Sequence, residues 1–264
     1  MRRIVHSVES IGEYTIRAAY SWVEALHFGF TCLLHLFLPK SYNPAMVAVL
    51  IRQIYFTAVE ILPLFLLIGI IFGSVIIGFV VSQAVAFSLQ SQIGTILVGF
   101  IMNEFAPFFT VLLISLRSGA AINTEIAVMK VNNELDTLQA YRIDIIDYLF
   151  LPRIIGGVIS VLILSAIFTV IMLASGYLFS SFFLQMDLDL YLRTLVSAIH
   201  VEDLLFLGGK SVAFGFFAML IPIYSGLKTG SALTAIPISV LGGMIKLFIA
   251  IFTVEVFSLL LRLL

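Results

Sequence analysis

The sequence predicts an all-α integral membrane protein, with an interfacial helix at the N-terminus, about five transmembrane helices, and a cytoplasmic amphipathic helix between spans two and three. Three observations lead there. The 264 residues are 61% hydrophobic and 11% charged, too little polar surface to cover a water-soluble globule of that size. A spanning helix needs about 20 mostly apolar residues, and such windows lie near 57–83, 95–116, 154–184, 204–227 and 238–261. The windows do not alternate every second residue, as the strands of a membrane barrel would.

Residues 1 to about 38 place Ile4, Val8, Ile11, Tyr14, Ala18 and Trp22 at helical spacing among Arg2, Arg3, Arg17 and three glutamates, which suits a helix lying in the interface. Pro39 and the Asn43-Pro44 pair break it, so residues 1–50 are read as interfacial elements and 51–264 as the membrane domain. Arg52-Gln53-Ile54-Tyr55 leads into span one, which carries Gly69, Gly73 and Gly78. Span three carries Gly156 and Gly157. Small residues let helices approach closely, inside the bundle or at a dimer seam. Nine of the fourteen Lys and Arg residues precede span one or lie between spans two and three, the 84–94 loop has none, and the 185–203 loop has Arg193 alone against four acids. The positive-inside tendency then puts the N-terminus and the 117–153 segment in the cytoplasm and the C-terminus on the far side.

The one long polar interruption, Asn103 to Arg153, holds ten charged residues. Within it Val128, Val131, Leu135 and Leu138 form one stripe and Lys130 and Glu134 an i,i+4 pair on another, so an amphipathic helix is expected across 122–140. Pro152 suits the start of span three. Ionisable groups at membrane depth are expensive and point to function, which singles out Glu60, Glu104, Lys210, Lys246 and Glu255. Glu60 and Lys210 lie near span ends, where snorkelling to the headgroups is the plainer reading. Glu104 sits well inside span two beside Pro107, whose missing N–H frees a carbonyl for another group. Glu255 and Lys246, nine residues apart, share a face only roughly and are not read as a pair.

Several function classes are disfavoured. A net charge of −1 without clustered Lys and Arg excludes nucleic acid as a partner. The lone Cys32 permits no internal disulfide and is read as an apolar filler. Gly209-Lys210-Ser211 imitates the end of a phosphate-binding loop, but Leu204 stands where that loop needs glycine. His6, His27, His35 and His200 have no metal-ligand spacing, and no nucleophile–base–acid set is visible.

Glu104-Phe105-Ala106-Pro107, Arg117-Ser118-Gly119-Ala120-Ala121-Ile122, Thr124-Glu125-Ile126, Met129-Lys130-Val131, Glu134-Leu135-Asp136-Thr137-Leu138, Asp144 and Pro152-Arg153 together resemble the signature of MlaE-type permeases, the membrane subunits of ABC phospholipid transporters that work with MCE proteins. About fifty residues carry the likeness, with weaker similarity at Arg52-Gln53-Ile54-Tyr55, Lys210-Ser211-Val212 and the last span. The resemblance implies a homodimeric permease in the inner membrane with a periplasmic C-terminus, coupled to a cytoplasmic ABC ATPase that binds the ATP and Mg, and capped by a periplasmic MCE-domain protein. No cofactor is expected in this chain. The resemblance further implies an ATPase-coupling segment at 119–141 with Arg117, Glu125, Lys130, Glu134 and Asp136, and a polar transport path with Arg52, Glu104, Lys210 and Glu255. Ile76, Phe79 and Val80 on span one are guesses for lipid-binding positions. Asn103 stands where the family usually has a basic residue.

The expected function is therefore an ATP-coupled phospholipid permease. A proton-coupled carrier using Glu60, Glu104 and Glu255 as relay groups is the alternative, which inverted repeats would favour and the sequence does not display. A structural anchor for a complex comes third.

Overall fold

The computed structural model describes residues 23–38, 41–184 and 187–263. Those residues form helices and turns, with no strand among them. The expected interfacial stripe from Ile4 to Trp22 lies outside the described residues. The first described helix, α1, occupies Val23–Leu36.

Five helical runs are long and apolar enough to cross a membrane: Pro44–Ala86, Ile93–Val131, Ile146–Leu178, Val201–Leu227 and Ala235–Arg262. Run one joins α2 (Pro44–Ile54) to α3 (Leu62–Ala86). Run two joins α4 (Ile93–Leu97), α5 (Ala106–Ile114) and α6 (Ala120–Val131). A short α7 (Glu134–Ala140) comes next, then α8 (Leu151–Leu184), α9 (Leu188–Ala198), α10 (Val201–Leu227) and α11 (Ala235–Leu263). Asn43 starts α2 by accepting a bond from Met46 N at 2.8 Å, with Pro44 in the first turn, where a missing N–H costs nothing.

Proline accounts for three of the four π-helical turns among the described residues, the exception being Ser115–Gly119. Wide π-helical segments occupy Tyr55–Val59, Val98–Phe105 and Ile146–Phe150, shortly before Pro63, Pro107 and Pro152. Proline withholds a hydrogen bond and crowds the carbonyl four residues earlier, and a π turn is one way a helix absorbs both. The helix of span three therefore does not begin after Pro152, as expected, but runs through it.

Close helix seams coincide with glycine. A Cβ on Gly73 would strike the Met172 backbone, one on Gly215 the backbone of Val158, and one on Gly157 the Met219 side chain. α8 thus lies flush against α3 on one side and α10 on the other, the two most extensive helix pairings among the described residues. The small-residue patches serve internal packing. Around them, Phe65 meets Phe168 edge-on at 5.6 Å, and Phe109 stacks on Phe168 and Phe105 at 5.6 and 5.4 Å. The outward faces stay oily: Val75 and Phe79 on α3, and Ile238, Leu241, Ile245 and Phe257 on α11, are all more than half exposed, as hydrocarbon permits and water would not.

Two expectations are revised. The 185–203 stretch, read as a loop, contains α9, which buries Tyr191, Leu195 and Ala198. The Tyr191 hydroxyl donates to Leu173 O at 2.8 Å, pinning α9 to α8, and burial pushes its pKa up to about 12. The amphipathic helix expected across 122–140 is broken at Asn132 and Asn133. Asn133 adopts φ 57°, and the Asn132 amide donates to Glu134 Oε1 at 3.1 Å. Asparagine tolerates that left-handed backbone better than most residues. Lys130 consequently reaches Asp136, at 3.7 Å, rather than Glu134.

Candidate functional site

Three distant parts of the chain meet inside the spans. Lys210, on α10, is 5% exposed and places its ammonium between the carboxylates of Glu104 and Glu255, pairing closely with Glu104 and standing 2.9 Å from Glu255 Oε2. It also donates to the Asn103 carbonyl at 3.0 Å. That is the carbonyl Pro107, four residues on, cannot bond, so the acceptor freed by proline is satisfied by a lysine from another helix. Arg262, near the end of α11, lies 3.4 Å from the other oxygen of Glu104 and donates to Gly99 O at 3.1 Å. Beside them the buried Asn103 amide donates to Asp203 Oδ1 at 2.6 Å, and Asp203 caps α10 through His200 N at 3.0 Å.

Two cations and two carboxylates leave the core of this cluster neutral, which is how charges persist at membrane depth. Of the four residues expected on a polar path, Glu104, Lys210 and Glu255 are brought together. Lys210 is buried, so the snorkelling reading does not apply to it. Asn103 itself carries no charge, and the counter-charge to Glu104 comes from Lys210 and Arg262. Arg262 and Asp203 escaped sequence reasoning because 158 and 100 residues separate them from their partners.

Arg52 lies elsewhere. Met219 packs at Gly157, near the start of α8, and Lys210 stands nine residues earlier on α10, about 13 Å of helix rise away. Arg52 instead lines a cavity with Gln53, Glu125, Tyr148 and Arg153, close to Gly156, which packs against Gln53. There Arg153 is 5% exposed and donates to Glu125 Oε1 at 2.6 Å. Nearby, Glu60 does not reach for headgroups alone but pairs with Arg117 at 3.0 Å, both half exposed.

The segment 119–141 divides in two. Its first half, in α6, is wedged between α10 and α11: Ile122, Asn123, Ile126 and Ala127 are buried, Gly226 faces Asn123 and Ile126, and Gly243 faces Asn123 and Ser225. Its other half, α7, buries Leu135 alone and exposes Glu134 and Asp136.

Of the three guessed lipid positions, Phe79 faces outward and Ile76 and Val80 pack partly against the core. They do not line the apolar groove of about 470 Å³ between α1, α8 and α10, whose walls include Leu33, Leu36, Val158, Val212 and Phe216. Among the described residues, His35, Asp144 and Asp147 have candidate metal-ligand atoms within 4.8 Å of one another. Both ends of that group are otherwise engaged. Asp144 Oδ1 accepts from Ile146 N at 2.9 Å, and His35 meets Asp147 at 2.7 Å, tying α1 to the start of span three.

The sequence profile described as Permease MlaE matches residues 50–261. The chain is 30% identical over 226 residues to a probable ABC transporter permease protein of Rickettsia conorii, and 29% identical over 227 residues to one of Rickettsia felis. These alignments cover 84% and 86% of both chains. It is also 32% identical over 131 residues, 49% of each chain, to the intermembrane phospholipid transport system permease protein MlaE of Haemophilus influenzae.

Proposed function

The chain belongs to the MlaE permease family, and from that premise we propose that it is the membrane subunit of an ABC transporter moving phospholipid between the inner membrane and a periplasmic MCE-domain partner. The ATP and Mg belong to a separate cytoplasmic ATPase, two copies of this chain form the permease, and the N-terminus is cytoplasmic and the C-terminus periplasmic.

One observation carries the mechanism. The helical run Ile93–Val131 is 39 residues long, close to 58 Å of rise against a hydrocarbon core of about 30 Å. Toward one end it holds Glu104 in the buried cluster; the other emerges as α6 and hands over to the exposed α7. A push on α7 by an ATPase is passed across the Asn132–Asn133 turn to the run Ile93–Val131 and along it to Glu104, which is paired with Lys210, with Glu125–Arg153 and Glu60–Arg117 fastening that run to spans three and one. Such tilting of rigid helices is a standard route for switching. Arg117, Glu125, Lys130, Glu134 and Asp136 are assigned to coupling on this reading, and Glu104, Lys210 and Glu255 to the polar path.

Glu134→Lys gives the clean test, because Glu134 is exposed and its change leaves the bundle folded. The ATPase should fail to co-purify and lipid transfer should stop; retention of both would refute the coupling role. Glu125→Lys is harsher, since it also strips the buried Arg153 of its counter-charge. The proton-carrier alternative draws on the same intramembrane carboxylates. Lys210 disfavours it, because an ammonium between Glu104 and Glu255 accounts for both as members of a balanced charge group.

A further inference from the structure

The cavity between α2, α6 and the start of α8 is walled in part by an arginine that holds a buried donor without a partner. It measures about 420 Å³ and is lined by Arg52, Gln53, Phe56, Glu125, Tyr148 and Arg153, among others. A pocket of that size falls in the range of about 300–1,000 Å³ that small ligands occupy. Arg153 sends one terminal nitrogen to Glu125, while Nη1 is buried without a partner among the described residues. Leaving a buried charged donor unpaired is costly. We propose that this cavity is a binding site for a phosphate-bearing anion, presented as the headgroup of an anionic phospholipid in the leaflet on the α2 side of the membrane.

Charge and shape fix the ligand class. Arg52 and Arg153 against Glu125 leave a net charge of +1, which a phosphodiester with its single negative charge balances. A guanidinium fork matches two phosphate oxygens at once. Gln53 gives one amide hydrogen to Thr57 Oγ1 at 2.8 Å, and Arg52, Arg153 and Tyr148 are the other donor-bearing side chains in the lining. Arg52 also lies 5.7 Å from the Phe56 ring, which orders its side chain at the rim.

The surroundings favour a lipid over a free anion. Ile51, Tyr55 and Val59, four residues apart beside the cavity, are each at least half exposed, and they sit where the chain enters span one. An acyl chain can run along that strip while the headgroup turns inward to Arg153. The site is separate from the Lys210 cluster and does not rest on the transport reading. A chain that moved no lipid would still retain one here.

The test is native mass spectrometry on the full-length chain in mild detergent, offered an equimolar mixture of phosphatidylglycerol and phosphatidylcholine. Wild type should retain phosphatidylglycerol preferentially. Arg153→Gln should cut that preference about tenfold, as expected for losing a charge-assisted hydrogen bond, and the exposed Arg52→Gln should reduce it even if Arg153→Gln folds poorly. Glu125→Gln should increase it by removing the competing carboxylate. Equal retention of the two lipids by wild type, or a loss of preference in Glu125→Gln, would overturn the site. Inorganic phosphate binding there while phosphatidylglycerol does not would overturn its lipid form. Loss of the preference in the ATPase-bound complex would assign the cavity to a side chain of that protein and overturn the proposal as well.

Discussion

Lys210 is buried among carboxylates, and these neighbours decide what its loss does. Replacing it with methionine strands Glu104 and Glu255, whose side chains are each 15% exposed; breaking a buried pair by removing one partner costs about 3–5 kcal/mol. Lys210→Met should lower the melting temperature in detergent, and adding Glu104→Gln and Glu255→Gln should recover most of the loss, because a neutral buried group needs no counter-charge. A single mutant as stable as wild type would show that the cluster is hydrated. Cys32 makes another case. It is 1% exposed, and burial pushes its thiol up to about 12, so at pH 8 the reactive thiolate is scarce. A maleimide should label the folded chain poorly and the denatured chain fully; rapid labelling of the folded chain would place α1 elsewhere. Glu104, Lys210, Glu255 and Cys32 stand out in the sequence because charge or thiol in an oily window is conspicuous, but the pairing of Lys210 with both glutamates is not legible there. Arg262, Asp203 and the Arg153–Glu125 pair were not, because polar residues at helix ends resemble one another until the fold selects their partners.

Each helix seam sets its own tolerance. Gly73 lies against the backbone of Met172, which cannot step aside, so Gly73→Val should cost about 1–3 kcal/mol of overpacking. Gly208, also helical, has nothing within 4 Å of an added Cβ. There Gly→Ala should instead gain about 0.5–1 kcal/mol of helix stability. Paired thermal melts of the two variants check the contrast, and equal effects would contradict the packing of α3 on α8. The turn at Asn133 behaves likewise: Asn133→Gly should be nearly neutral and Asn133→Val destabilising, since a β-branched residue resists φ 57°. At this scale the sequence yielded the five spans and their order, because hydrophobic length is a local property. It misjudged the 122–140 helix and the 185–203 loop. The 122–140 helix reads as continuous because its apolar stripe is regular across Asn132 and Asn133. The 185–203 stretch reads as a loop because α9 is short and begins among acids.

Across the whole molecule, the charge bias carries the proposed orientation, with the N-terminus cytoplasmic and the C-terminus periplasmic. With Cys32 buried, single cysteines placed at Glu134 on α7 and at Leu233 before α11 should both react with an impermeant thiol reagent only from the cytoplasmic side, and one at Ser91 only from the periplasmic side. The reverse pattern would invert the orientation. Under the proposed mechanism, force enters at α7, travels along Ile93–Val131 and acts on a charge group whose members come from spans two, four and five. The measurement that tests this most directly is lipid transfer from proteoliposomes containing the permease with its ATPase. Transfer should begin on ATP addition, stop when hydrolysis is blocked and continue after an uncoupler collapses the proton gradient. Transfer that ignores ATP and stops with the gradient would contradict the account and favour the carrier.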